Sequence, residues 1–84
     1  MQQRIVIADD DPTMRSALTE ALCSAGYDAV AFASAEEAEC SLTDSGADLV
    51  ISDLRMPGSS GLELLKKFSR IAFIMRAKPG ASES

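Results

Sequence analysis

Short, largely apolar runs alternate with segments of helical periodicity along this chain. Arg4–Ala8 and Asp48–Ser52 are apolar almost throughout, as is typical of strands that are covered on both faces of a sheet. Residues 28–33, centred on Val30 and Phe32, predict another strand between these two. The pattern therefore predicts at least three strands, each separated from the next by a helical segment.

The helical segments carry start and stop signals. Asp11 is a candidate N-cap for the first helix, and Gly26 lies where its apolar periodicity ends. Ser34–Glu37 and Ser60–Glu63 are capping boxes that open a second and a third helix, and Gly46 closes the second. Because strands that alternate with helices form parallel sheets with right-handed crossovers, the sequence predicts an α/β fold.

The segment after Phe68 fits two structures. Residues 71–75 are apolar enough for a fourth strand, but no Gly, Pro or Asn separates them from the third helix. Helical spacing is kept by Leu65, Phe68, Ala72 and Met75. We therefore expect the third helix to continue as far as Pro79, with residues 79–84 as a frayed end, and the short strand is the alternative.

Composition and charge narrow the classes of function. The 84 residues suffice for one small domain, and 8 basic against 13 acidic side chains give a net charge of −5, which argues against direct binding of nucleic acid. No apolar run approaches the roughly 20 residues that span a bilayer. Residues 1–4 lead straight into a strand, so we expect no signal peptide and a cytoplasmic protein. Cys23 and Cys40 fit no metal spacing, and we expect free thiols.

Three aspartates stand at predicted strand ends. Asp9 and Asp10 follow the first strand, and Asp53 follows the third. If these strands are neighbours, the carboxylates converge where ligands of parallel sheets bind, beyond the carboxyl ends of the strands. Clustered carboxylates repel one another unless a cation compensates them, and an all-oxygen donor set suits Mg²⁺. An aspartate beside such a metal is a competent acceptor of a phosphoryl group.

A structural role for the same residues is the simpler interpretation. An aspartate after a strand most often caps a turn or a helix, and we expect that role of Asp11. Asp9 and Asp10 would then be solvated loop acids. Arg55 would be a neighbouring counter-ion of Asp53, and spacing alone leaves both interpretations open.

Two motifs stand in order on matching elements. The first is IVIADDDP near the N-terminus, and the second is ISDLRMPGSSGLELLKKF. The pattern Asp-x-x-Met-Pro-x-x-x-Gly is met by Asp53, Met56, Pro57 and Gly61. Together, over residues 4–68, the motifs resemble the receiver domain of two-component response regulators. The stretch ISDLRMPG is most similar to receivers of transcriptional regulators that act with the alternative sigma factor 54.

The resemblance implies a flavodoxin-like fold and a role for each motif residue. Asp53 would accept a phosphoryl group from a histidine kinase, and no enzymatic turnover is expected. Asp10 would coordinate Mg²⁺ directly, and Asp9 would do so through water or as a second ligand. The backbone carbonyl of Arg55 would add a further ligand, and Pro57 and Gly61 would shape the loop beyond the acceptor. Such a domain is expected to contact neither nucleic acid nor a membrane.

The chain departs from the family pattern after Phe68. Receivers continue through a fourth strand that ends in Ser or Thr and a fifth that ends in Lys-Pro, with a helix after each. Here Arg76 stands where the hydroxyl is expected, and Lys78–Pro79 arrives too early for the phosphate-binding lysine. We therefore expect an incomplete receiver of three to four strands and three helices, with an N-terminal part, residues 1–68, and a divergent tail, residues 69–84.

An incomplete sheet exposes apolar surface or an unpaired edge. The chain is then expected to form a homodimer, to dock on a partner, or to fold poorly as a truncated product. The dimer surface would be the exposed sheet or the third-helix face. That face carries Leu65, Phe68, Ala72 and Met75.

Two other functions stay open at this point. Without the hydroxyl and the lysine, the same fold could serve as a partner-binding module that is never phosphorylated. Asp9–Thr13 also fits the Asp-x-Asp-x-Thr pattern of haloacid-dehalogenase-like phosphatases, in which the first aspartate is the nucleophile. That family needs a larger chain and does not account for the Met-Pro turn.

Overall fold

The computed structural model describes residues 3–53 and 61–76, which form a four-stranded parallel sheet with three helices. The elements are β1 (Arg4–Ala8), α1 (Pro12–Ser24), β2 (Asp28–Phe32), α2 (Ala35–Ser45), β3 (Leu49–Asp53), α3 (Gly61–Lys67) and β4 (Ala72–Arg76). The strand order is β2-β1-β3-β4, with parallel pairing throughout. The predicted α/β, flavodoxin-like fold is confirmed, and its topological switch point lies between β1 and β3.

Local sequence signals set the start of α1 and both ends of α2 as predicted, whereas Ser60, the predicted cap of the third helix, lies outside the described residues. The Asp11 carboxylate accepts a hydrogen bond from the backbone N–H of Thr13 at 3.0 Å and caps α1. The Ser34 hydroxyl oxygen accepts one from the N–H of Glu37 at 3.2 Å and caps α2. Gly46 ends α2 with a φ of 70°, a left-handed conformation that a side chain disfavours.

One face of the sheet packs against α2 and α3. Val6 and Val50, from the two central strands, are buried there in one cluster with Leu42 of α2 and Leu64 of α3. Phe73 of β4 packs against the same cluster and is partly buried. The apolar alternation of the strands thus places one set of side chains beneath two helices.

Of the described helices, α1 covers the opposite face. Ile7 and Ile51 are buried on this face, and Leu18 and Leu22 of α1 are half-buried against them. Ile74 of β4 is the register partner of Ile51, yet it is 49% exposed. The sheet therefore keeps an exposed apolar position at its β4 edge, as the sequence predicts for an incomplete cover.

The expected continuation of the third helix is wrong. α3 ends at Lys67, and residues 72–76 pair in register with the whole length of β3. A turn separates them, in which the N–H of Ile71 donates to the carbonyl of Phe68 at 3.0 Å. The strand forms because pairing with β3 satisfies the backbone groups of both strands and packs Phe73 against the core. Helical spacing over so few residues is a weaker signal.

This correction removes the expected helical dimer face. The face was to consist of Leu65, Phe68, Ala72 and Met75. Ala72 and Met75 lie in β4 rather than on a helix, and Phe68 packs against the core cluster. The four side chains therefore do not form one helical surface, and a dimer through the sheet stays a prediction.

Three further expectations concern the surface and the tail. Cys23 and Cys40 are free thiols, and both are exposed. Across the described ranges, no helix combines the length and the apolar character needed to cross a membrane. Lys78–Pro79 lies outside the described residues, so its expected placement stays a prediction.

Candidate functional site

The carboxyl ends of β1 and β3 bring three aspartates together. Ala8 is the register partner of Ser52, so Asp9 follows β1 at the level at which Asp53 ends β3. One carboxylate oxygen from each of Asp9, Asp10 and Asp53 lies within 4.8 Å of the other two. The convergence expected from the strand ends is therefore present.

Asp9 is buried and held by the backbone around it. Its Oδ1 accepts a hydrogen bond from the backbone N–H of Asp11 at 2.9 Å, a local turn that leads the chain from β1 towards the cap of α1. Its own N–H donates to the carbonyl of Phe32 at 3.1 Å, and the side chain is only 4% exposed. The carboxylate of Asp9 is thus fixed in position before any ligand binds.

A guanidinium reaches the same cluster from β4. Nη1 of Arg76 lies 2.7 Å from Oδ2 of Asp9. Because Arg76 is the register partner of Asp53, this ion pair connects the strands on either side of β3 across the end of that strand. A charged hydrogen bond of this length is among the stronger side-chain interactions in proteins. The edge of the sheet therefore carries a resident positive charge beside its three carboxylates.

A second guanidinium supports the loop after β1. Nη1 of Arg15, in the second turn of α1, donates to the backbone carbonyl of Asp9 at 2.9 Å. This bond positions the loop rather than neutralising a carboxylate directly. Sequence reasoning missed Arg15 altogether and placed Arg76 only where a hydroxyl was expected. Arg15 could have been found from its position one helical turn after the N-cap Asp11, which places it near the loop after β1. No feature of the sequence places Arg76 near the site unless the strand register is known.

The start of α3 packs tightly against the end of β3. Gly61 is buried, and a Cβ atom on it would overlap the backbone carbonyl oxygen of Asp53. The same Cβ would lie 2.8 Å from Oγ of Ser52 and from Cε of Met75. The Ser52 hydroxyl is fully buried and donates to the Asp53 carbonyl at 3.0 Å. The glycine of the motif therefore permits α3 to approach the strand that carries Asp53.

The described donors suit a hard divalent cation such as Mg²⁺. All three are carboxylates, and Asp9 and Asp53 are buried. Arg55 and the Met-Pro turn lie outside the described residues. The expected carbonyl ligand from Arg55 therefore stays a prediction.

Comparison with known families identifies the family of this chain. The response regulator receiver domain matches residues 5–76, a range that runs past Phe68 to the end of β4. This chain belongs to the response regulator receiver domain family. Receiver domains bind Mg²⁺ at an acidic pocket and are phosphorylated by histidine kinases. The three aspartates lie where such a pocket is expected, at the carboxyl edge of the sheet.

Two transcriptional regulators are similar to this chain in sequence. It is 44% identical over 63 residues to the C4-dicarboxylate transport transcriptional regulatory protein DctD of Rhizobium meliloti, covering 75% of this chain and 14% of that protein. It is 42% identical over 71 residues to the DNA-binding transcriptional regulator NtrC of Klebsiella pneumoniae, covering 83% of this chain and 15% of NtrC. Both relatives are transcriptional regulators, in line with the subclass that the motifs resemble.

A solved receiver gives the same agreement in three dimensions. The response regulator protein TrrA of Thermotoga maritima, crystallised in complex with Mg²⁺ and BeF, is similar with a TM-score of 0.81 and 36% identity. The similarity covers 90% of this chain and 70% of TrrA. The two proteins therefore share one fold over most of this chain.

Proposed function

We propose that this chain is a receiver module of two-component signalling that accepts a phosphoryl group on Asp53. The observation that carries the proposal is the convergence of Asp9, Asp10 and Asp53 within 4.8 Å in a chain of the receiver family. Asp53 is the acceptor because it ends β3 and begins the Asp-x-x-Met-Pro motif. Asp9 and Asp10 reach it from the neighbouring strand.

The chemistry is a phosphoryl transfer from a donor histidine to an aspartate. A carboxylate oxygen of Asp53 attacks the phosphorus of a phosphohistidine on the donor kinase. The P–N bond breaks, its electron pair stays on the imidazole, and the imidazole takes up a proton. The product is an acyl phosphate on Asp53, so the chain acts as a stoichiometric acceptor rather than as an enzyme with turnover.

The same carboxylates would hold Mg²⁺. Asp10 would be a direct ligand, Asp9 and Asp53 would complete the carboxylate set, and the backbone carbonyl of Arg55 would add to it. When bound, Mg²⁺ offsets the negative charge that a phosphoryl donor brings to the cluster. The TrrA complex with Mg²⁺ and BeF supports this assignment, because BeF mimics a phosphoryl group.

A transcriptional output is the readout that the relatives support. DctD and NtrC are named as transcriptional regulators, and this chain spans 14% and 15% of their lengths. The matched part of each is the receiver. Phosphorylation of Asp53 would accordingly control an output of that kind.

Labelling by a small phosphodonor tests the proposal. The chain is incubated with acetyl phosphate and Mg²⁺, and its intact mass is recorded. We expect the wild type to gain one phosphoryl group and Asp53→Asn to gain none. Asp44→Asn, which alters an exposed carboxylate of α2, is the matched control and is expected to label like the wild type. Far-UV circular dichroism verifies that each variant is folded.

Two results would point elsewhere. A folded wild type that gains no phosphoryl group indicates a partner-binding module that is never phosphorylated. Labelling that is lost in Asp9→Asn but kept in Asp53→Asn indicates that Asp9 is the nucleophile, as in the phosphatase pattern of residues 9–13.

A further inference from the structure

Arg76 forms an ion pair with Asp9 at the acceptor site, and phosphoryl transfer to Asp53 does not require this contact. Its Nη1 lies 2.7 Å from Oδ2 of Asp9. The other oxygen of that carboxylate, Oδ1, accepts the N–H of Asp11 at 2.9 Å. Both oxygens of a proposed metal ligand are thus already engaged within the chain.

We propose that Arg76 competes with Mg²⁺ for Asp9, so that the metal enters the acceptor site by displacing the guanidinium. The inference rests on the proposed function, because it takes Asp9 as part of the metal site. It adds a determinant of metal affinity that lies in β4 and outside the carboxylate cluster.

Charge makes the two cations alternatives. A guanidinium and a divalent cation that share one carboxylate oxygen would stand close together, and they would repel each other in surroundings where water screens poorly. Mg²⁺ also demands ligand oxygens in a near-octahedral arrangement and tolerates little distortion. The guanidinium uses Oδ2 of Asp9, and Oδ1 already accepts the N–H of Asp11. A Mg²⁺ ion that bound Asp9 through Oδ2 would therefore meet Arg76 there.

The strand register makes the exchange possible without unfolding. Pairing with Asp53 fixes the backbone of Arg76 at the end of β4. Its side chain is 26% exposed, whereas that of Asp9 is 4% exposed. The guanidinium can thus rotate out to solvent while the strand stays in place, and the carboxylate it leaves remains aimed at the cluster.

Calorimetric titration with Mg²⁺ tests the competition directly. We expect Arg76→Met to lower the Kd for Mg²⁺ by about tenfold, because the metal no longer has to displace a charged hydrogen bond. Arg70→Met is the matched control: Arg70 is an exposed arginine in the turn before β4, and its loss removes the same charge away from Asp9. We expect its Kd to stay within about twofold of the wild-type value, since exposed charges are screened.

An NMR titration of the wild type tests the same competition and does not depend on the folding of a variant. The side-chain Nε–H signal of Arg76 is followed by NMR during the Mg²⁺ titration. We expect it to move along the same saturation curve as the backbone amide of Asp53, because both report one exchange. The corresponding signal of Arg70 is expected to stay in place.

The inference and the proposed function fail in different ways. Equal Kd values for Mg²⁺ in Arg76→Met and Arg70→Met, or an Arg76 signal that does not move at saturating Mg²⁺, would overturn the inference. Absence of Mg²⁺ binding in both wild type and Arg76→Met would overturn it too. The proposed function fails instead when Asp53 stays unlabelled by acetyl phosphate, whatever Mg²⁺ affinity is measured.

Discussion

Gly61 lies against the backbone carbonyl oxygen of Asp53 so closely that a methyl group on its Cα would overlap that oxygen. The contact joins the first residue of α3 to the last residue of β3, which carries the proposed acceptor. Met75 and Ser52 close the same space, each with an atom 2.8 Å from where the Cβ would lie. A side chain at position 61 must therefore displace the helix, the strand end or both.

We expect Gly61→Ala to lower the free energy of unfolding by about 1–3 kcal/mol, the range for overpacking a buried position. Helix propensity alone would act in the opposite direction, but by less than the gain of about 1 kcal/mol that alanine has over glycine in a helix interior, because Gly61 is the first residue of α3. A net loss therefore shows that steric overlap dominates. Urea unfolding of wild type and variant gives the difference. We also expect slower labelling of Asp53 by acetyl phosphate, because the strand end must shift.

Gly46→Ala is the matched control for that variant. Gly46 has no atom within 4 Å of a built Cβ, but its φ is 70°. Its substitution is expected to cost about 1–3 kcal/mol, because its φ of 70° and ψ of −172° form a backbone conformation that is essentially restricted to glycine. We expect it to leave the labelling of Asp53 unchanged. A Gly61→Ala protein that is more stable than the wild type would contradict the steric explanation.

Leu64 and Leu62 offer a comparison within one helix. Leu64 is 2% exposed and belongs to the cluster beneath α2 and α3, whereas Leu62 is 50% exposed. We expect Leu64→Ala to lower the free energy of unfolding by about 2–5 kcal/mol, as for buried leucines elsewhere, and Leu62→Ala to change it by about 0.5 kcal/mol or less. Urea unfolding of the two variants measures both values. Equal losses would show that α3 does not pack as described.

The cap of α2 is a local feature that can be tested apart from the site. The Ser34 hydroxyl oxygen accepts the N–H of Glu37 at 3.2 Å. Ser34→Ala removes this acceptor, and we expect a loss of about 1 kcal/mol in the free energy of unfolding. Ser34→Asp keeps an acceptor at the cap and is expected to restore most of it. Failure of Ser34→Asp to recover any stability would indicate a different role for the hydroxyl.

Three of the four described strands could be predicted from the sequence because their signals are local. β1 is an apolar run followed by Asp9, β3 is one that ends in Asp53, and the intervening helices start at caps such as Asp11 and Ser34. For β4 the sequence leaves a strand only as the alternative to a longer helix, because pairing with β3 is what selects the strand. The helical spacing of apolar residues that begins with Leu65 and Phe68 continues into the residues of β4, and it favours a helix there.

The same distinction divides the candidate site. The convergence of Asp9 and Asp53 follows from topology, since the carboxyl ends of neighbouring parallel strands meet at one edge. The ion pair of Arg76 could not be predicted, because Arg76 comes beside Asp53 only when residues 72–76 form a strand in register with β3. Because β4 was expected to be helical, the sequence did not predict the guanidinium of Arg76 at the site, although it did predict the carboxylates.

Lys67 and Glu39 connect α3 to α2 at the surface, with Nζ 2.9 Å from a carboxylate oxygen. The hydrogen bond that Lys67 donates to Glu39, followed by the negative charge of Glu39, raises the pKa of Lys67 above the ordinary 10.5. Because the folded state holds this proton more tightly, the stabilisation is fully present below pH 10.5 and is lost as the pH rises through the raised pKa.

We expect Glu39→Gln to bring the pKa of Lys67 back towards 10.5, measured by NMR of its ε-methylene signals during a pH titration. Glu63→Gln is the control, because Glu63 raises the pKa of Lys67 through charge alone and ranks below Glu39 among its causes. It is expected to shift the titration less. The stability difference between wild type and Glu39→Gln should be present below pH 10.5 and disappear above the raised pKa. A Lys67 titration unchanged by Glu39→Gln would show that the bridge between the helices does not persist in solution.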